Sequence, residues 1–153
     1  MQLSELLSPE RVACDVEVPS KKRVLEQVSD LLALDQSSTS SIDIYNSLLA
    51  RERLGGTGVG HGIAIPHGRL QNTQQTLGAF IRLKQGIDFD AIDHQPVDLV
   101  FALVVPEEAT QEHLQTIAHL AKIFNDEQVR TKLRAATDAA TLYQVLLDAA
   151  ASH

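Results

Sequence analysis

The sequence predicts a single α/β domain in which a sheet is layered between helices. Three observations lead there. The chain has 153 residues, which sets an expectation of one domain spanning 1–153, large enough to bury its own core. Two aliphatic segments, Leu77 to Leu83 and Val97 to Val105, lie mid-chain, and the second is almost continuously apolar, as a strand covered on both faces must be. Helical periodicities precede and follow them, and no internal repeat divides the chain. With 44% apolar and 22% charged residues, the composition is that of an ordinary globular domain and argues against a disordered or membrane-embedded chain.

Leu3, Leu6 and Leu7 have helical spacing before Pro9, and the alternation from Ala13 to Val18 then reads as an edge strand stopped by Pro19. Ser20 is an N-cap for a helix to about Leu34, because Val24, Leu25, Val28, Leu31 and Leu32 make one buried face. The hydroxyl-rich run Gln36 to Ser41 suits a turn that caps the next helix, whose inward residues are expected to be Ile42, Tyr45, Leu48 and Leu49. That helix ends near Arg51-Glu52-Arg53-Leu54. Gly55 to Gly62 holds five of the eight glycines and reads as a loop. Ile63-Ala64-Ile65 reads as a short strand stopped by Pro66, with His67-Gly68-Arg69 opening an exposed turn. From Thr110 a helix carries Leu114, Ile117, Ala118, Ala121 and Phe124 as its apolar stripe. Further helices are predicted from about Asp126 to Arg134 and from Asp138, the latter burying Leu142, Val145, Leu146 and Ala149.

Thirteen Lys and Arg against twenty Asp and Glu leave a net charge of −7, which repels nucleic acid and favours basic partners. Cys14 is the only cysteine, so intrachain disulfides, redox pairs and cysteine metal clusters are excluded. The stretch Met1 to Glu10 lacks the basic start and apolar run of a leader, and no segment approaches the roughly 18 apolar residues of a membrane span. A cytoplasmic protein without direct membrane insertion is expected.

The glycine segment fails both phosphate-loop templates. Gly55 to Gly60 has the gap of a Walker loop, but His61-Gly62 follows where Lys-Ser/Thr is required, and no G-x-G-x-x-G match exists. The order is also wrong, since this loop follows a helix and precedes a strand. What remains is a threonine, a glycine-rich loop and Pro66-His67-Gly68, the outline of a phosphohistidine site: a neutral imidazole nitrogen is nucleophilic near pH 7, and glycines let amides approach phosphate oxygens. A lone loop histidine is more often structural or solvated, so spacing alone leaves His67 open. His61 has no third residue at metal spacing, so it is expected to be a loop residue and no metal is predicted. His94, His119 and His153 are expected to be exposed.

Arg51 through Arg69, containing Gly55-Gly56-Thr57-Gly58-Val59-Gly60-His61-Gly62-Ile63-Ala64-Ile65-Pro66-His67-Gly68, resembles the active-site signature of the mannitol/fructose-type enzyme IIA proteins of the bacterial phosphotransferase system. A second block, Phe89 to Pro106 followed by His113-Leu114, resembles the same family's sheet core and second histidine. With the helix from Ser20, the resemblance covers nearly the whole chain, and its length without a fused permease or IIB part is similar to that of the stand-alone, nitrogen-regulatory members. Gly56 departs from the pattern, standing where the family commonly has serine.

The resemblance implies one mixed sheet flanked by helices on both faces. It implies that His67 accepts a phosphoryl group from an HPr-like phosphocarrier, that His113 lies beside it, and that Arg51 helps hold the phosphate, with loop residues Thr57, Gly58 and Gly60 shaping the phosphate environment. No cofactor is implied. His113 shares a helical face with Ile117, Leu120 and Phe124 and so points inward, where it could donate to a phosphoryl oxygen or merely fill the core. Arg51 alone would read as a helix-end charge, and Thr57 offers a hydroxyl or shapes the turn. The implied outputs are regulatory targets such as potassium transport proteins or sensor kinases. Two other readings stay open: a fructose- or mannitol-specific IIA component that hands the group to a IIB cysteine, and a non-catalytic interaction module.

Overall fold

The computed structural model describes residues 2–153; Met1, where the stretch read for a leader begins, lies outside them. Its centre is β5 (Leu77–Ile87) paired antiparallel with β6 (Val97–Pro106). β1 (Val12–Val16) adds to β5 in parallel as one edge. On the other side of β6 lie β3 (Ile63–Ala64) and β4 (His67–Leu70), both parallel to it, and β2 (Gly58–Gly60) closes that edge antiparallel to β3. The helices are α1 (Leu3–Leu6), α2 (Lys21–Leu32), α3 (Ser41–Leu54), α4 (Thr110–Phe124), α5 (Glu127–Ala135) and α6 (Ala139–Ser152).

The near-continuous apolar run of β6 is explained by its two covered faces. Leu99, Phe101, Leu103 and Val105 pack with α1, α4, α5 and α6, while Val100, Ala102 and Val104 pack with α2 and α3. Alternate side chains point to opposite faces, so from Leu99 to Val105 neither face leaves room for a polar residue, and Asp98 lies only near the strand's end. Phe80, Phe101 and Phe124 meet in the first layer with ring centroids 6.0 to 6.3 Å apart. The sheet is mixed and flanked on both faces, as expected. Ser20 and Ser40 cap α2 and α3, their hydroxyl oxygens accepting from the backbone N–H of Arg23 and Asp43.

Several expectations are corrected. Pro66 interrupts a strand without ending it: Ile63 pairs with Leu99 and His67 with Leu103 in one unbroken register along β6. Proline lacks an N–H, yet its carbonyl still accepts from Leu103 N at 2.9 Å, so the sheet loses one bond and continues. His67-Gly68-Arg69 is therefore the start of strand β4, not an exposed turn. Gly58 to Gly60 is likewise strand, and only its flanks are loop. Ile42 is 67% exposed, and α3 buries Ile44, Leu48 and Glu52 at i, i+4 and i+8. On α4 the exposed residues include Leu114 and Ala118, because the buried row runs His113, Thr116, Leu120 and Ile123. His119 and His153 are half-buried rather than exposed; His153 bonds the Ala149 carbonyl and Asp126.

Gly68 sets how closely α3 lies on β4. A Cβ there would stand 3.0 Å from the Ser47 carbonyl carbon and collide with its hydroxyl, which donates to the Arg69 carbonyl at 2.7 Å. Gly68→Ala is expected to cost about 1–3 kcal/mol by pushing α3 outward, measurable as a fall in the urea midpoint without a change in slope.

Candidate functional site

His67 opens β4 at the sheet edge that β2, paired only to β3, leaves uncovered. Its Nδ1 lies 2.8 Å from the Ile65 carbonyl. A carbonyl oxygen can only accept, so this contact requires the proton on Nδ1 and leaves Nε2 with its lone pair free. The ring is half-buried. Burial holds its basicity below the ordinary histidine value, the Ile65 carbonyl pulls it up, Arg51 lowers it and Glu52 raises it. At neutral pH the ring is an uncharged imidazole, the nucleophilic form.

His113 reaches the same place from α4. Its ring centroid is 5.1 Å from that of His67, with the planes tilted by 56°. The residue is 6% exposed and its Nδ1 is buried with no hydrogen-bond partner. Burial first, then His67, Arg69 and Arg51, push its pKa down to about 4. A buried ring nitrogen without a partner is uncommon in a settled core, and here it lies beside a nucleophile. His113 stands in the first turn of α4, where the positive end of the helix also favours an anion.

Arg51 is half-buried on the last turn of α3, and its guanidinium donates to the Gly55 carbonyl at 2.7 Å. Its charge acts on both histidines. The structure thus brings His67, His113 and Arg51 together, with Arg69 beside them. It does not bring all of the glycine segment. Thr57 stays close, its carbonyl accepting from Ile65 N at 3.0 Å, but its hydroxyl is committed to Glu52, so it shapes the turn. Gly58 pairs with Ala64, and Gly60 pairs with Ile63 beside Leu99. That is four residues along β6 from the partner of His67, or roughly 13 Å at strand rise. Gly60, and Gly62 with its φ of +78°, instead turn the chain at the far end of β6. There His61 is exposed, its N–H donating to Asp93 and its carbonyl accepting from Arg134. Among the described residues no three His, Cys, Asp or Glu side chains converge on a possible metal site.

Arg69, Glu52 and Lys21 escaped the sequence reading as residues of the site. Glu52 is buried, its side chain 3% exposed, and pairs with Lys21 at 2.8 Å, while Lys21 Nζ sits 4.9 Å above the Phe89 ring. The available signal was spacing: Glu52 falls eight residues after Ile44, on the same buried face of α3. Lys21 had none, because its partner comes from a different helix.

Comparison with known proteins bears on this arrangement. The family model described as phosphoenolpyruvate-dependent sugar phosphotransferase system, EIIA 2, matches residues 5–149. The nitrogen regulatory protein of Pseudomonas aeruginosa is 45% identical over 97% of this chain and 96% of its own length. That of Escherichia coli is 44% identical over 97% of this chain and 91% of its own length. Among solved structures, nitrogen regulatory protein IIA-Ntr from Neisseria meningitidis superimposes with a TM-score of 0.89 at 42% identity, covering 94% of this chain and 98% of that one. Among the described residues no helix is long and apolar enough to cross a membrane.

Proposed function

The chain belongs to the phosphoenolpyruvate-dependent sugar phosphotransferase system EIIA 2 family, and from that membership we propose that it is a regulatory phosphoryl carrier charged on His67 by an HPr-like phosphocarrier. The observation that carries the reading is the Nδ1 bond to Ile65, which leaves the Nε2 lone pair of a half-buried ring free. In the transfer, the bond from phosphorus to the donor's histidine nitrogen breaks as the bond to His67 Nε2 forms. The donor ring leaves with the electron pair, and the phosphoryl oxygens keep their charge. Arg51 and His113 meet that charge as it spreads through the loose transition state.

A donor that is itself a protein calls for an apolar rim on which to dock. Leu54, 85% exposed at the end of α3, and Leu114, 65% exposed next to His113, supply such a rim. The net charge of −7 speeds encounter with a basic carrier, and added salt slows it. Once His67 is modified, about −1.5 to −2 charge stands at the docking face, which lets targets such as potassium transport proteins or sensor kinases distinguish the two forms. The similarity to proteins named for nitrogen regulation favours this regulatory output.

The test is peptide mass spectrometry after incubation with phosphoenolpyruvate, enzyme I and an HPr-like carrier at alkaline pH. One phosphoryl group on the peptide containing His67 is expected, and no label with a competent carrier would refute the mechanism. Rapid onward transfer to a purified sugar-specific IIB protein would replace the regulatory output with a transport one.

A further inference from the structure

We propose that Glu52 is a positioning residue for the phosphorylation of His67: its buried carboxylate, clamped by Lys21, anchors a hydrogen-bonded chain through Thr57 and Ile65 that holds the imidazole with Nδ1 protonated and Nε2 free. This rests on the carrier reading of the site. The chain is continuous. Lys21 Nζ lies 2.8 Å from Glu52 Oε2. Thr57 donates both its hydroxyl and its N–H to the same carboxylate. The Thr57 carbonyl accepts from Ile65 N at 3.0 Å, and the Ile65 carbonyl accepts from His67 Nδ1 at 2.8 Å.

Each link has a physical consequence. A carboxylate receiving three donors is satisfied and immobile, so Thr57 is fixed through both its hydroxyl and its N–H. Ile65 precedes Pro66, whose missing N–H leaves this stretch with fewer bonds to the sheet. The contact to Thr57 therefore carries more of the positioning of the Ile65 carbonyl, and that carbonyl sets the tautomer and tilt of the nucleophile. The chain fixes geometry residue by residue, while the carboxylate's negative charge acts on the ring through space, favouring its protonation and raising the basicity of Nε2. Glu52 acts in that direction on His67. A buried ion pair is a poor source of net stability compared with apolar packing, so positioning accounts for Glu52 better than stability does.

The charged groups around His67 come from several elements. Arg51 and Glu52 both belong to α3 and act in opposite directions. His113 faces it from α4, and Arg69 of β4 acts on His113. Around Glu52 stand Lys21 from α2 and, bridged to Lys21 at 3.5 Å, Asp90 from the loop before β6. Neighbours Arg51 and Glu52 diverge because successive helical residues are about 100° apart: one guanidinium returns to Gly55 at the surface, and one carboxylate turns inward.

The test follows the His67 ring by proton and nitrogen NMR across pH, assigned with His67→Ala, alongside the pH profile of phosphorylation by the HPr-like carrier. In Glu52→Gln the titration midpoint of His67 is expected to fall by about half a unit or more. The acid limb of the rate profile should move with it, and the plateau rate should drop about threefold or more as Nε2 loses basicity. Glu52→Asp should recover part of both shifts, and Lys21→Met, which strips the countercharge, should move the midpoint upward. An unmoved midpoint in Glu52→Gln, or a slower rate with an unmoved acid limb, would overturn the proposal and leave Glu52 a structural carboxylate. If Glu52→Gln does not fold, Lys21→Met decides, and a midpoint equal to that of the wild type overturns it. Absence of label on the wild-type chain would overturn the carrier reading instead, and the titration, which needs no donor, would still show whether Glu52 governs the ring.

Discussion

His67→Ala is expected to abolish phosphoryl labelling of the chain while leaving its fold intact. No other histidine can replace it. His113, its pKa pushed down to about 4, is the weaker nucleophile. His61 and His94 stand on turns without the cations that would meet a phosphate, His119 lies six residues further along α4, and His153 is held by Ala149 and Asp126 at the C-terminus. The stability cost should stay within about 1 kcal/mol, because the side chain is half-buried and gives up a single hydrogen bond. Intact mass after incubation with the donor proteins reads the first quantity, and urea unfolding reads the second. Label persisting at the wild-type level in His67→Ala would move the nucleophile elsewhere.

His113→Leu is expected to slow phosphorylation by about a hundredfold, the usual cost of removing one donor aimed at developing charge. Burial of the same ring also gives stability a dependence on pH. The unfolded chain protonates this ring near the ordinary value of 6.5, and the folded chain only near 4. Between those values the unfolded state binds more protons, so acid draws the equilibrium toward it; above 6.5 the effect vanishes, and below 4 it is complete. With allowance for solvent screening, the wild type should lose about 2 kcal/mol across that window relative to His113→Leu, which does not titrate. His67, whose basicity is lowered in the same direction, adds to the loss in both proteins. Thermal unfolding from pH 7 to 4 tests this difference, parallel curves counting against the lowered pKa, and a wild-type phosphorylation rate in His113→Leu would make His113 a packing residue only.

Most helices were legible because each is an independent local pattern. Ser20, Ser40, Asp126 and Asp138 cap their helices as hydroxyl and carboxylate residues should. The errors at Ile42 and Leu114 share one cause. A stripe read from apolar residues alone leaves out Glu52, His113 and Thr116, all buried, and including them rotates the inward face to its true position. A polar residue is buried when a partner waits for it, and that partner lies on another element.

The sequence by itself determined that the chain forms a sheet between helices, that Val97 to Val105 lies at its centre, and, through the block from Arg51 to Arg69, the family to which it belongs. Only the tertiary structure decided that β3 and β4 are one strand broken at Pro66, that the glycine segment carries Gly60 away from His67, and that Glu52 and Lys21 stand beneath the site. The reason is the range of the interactions involved. Capping and hydrophobic periodicity act within a few residues and are written locally, whereas strand register, the approach of Gly68 to Ser47 and the pairing of Lys21 with Glu52 join residues distant in sequence. Such contacts exist only once the two layers have closed on the sheet.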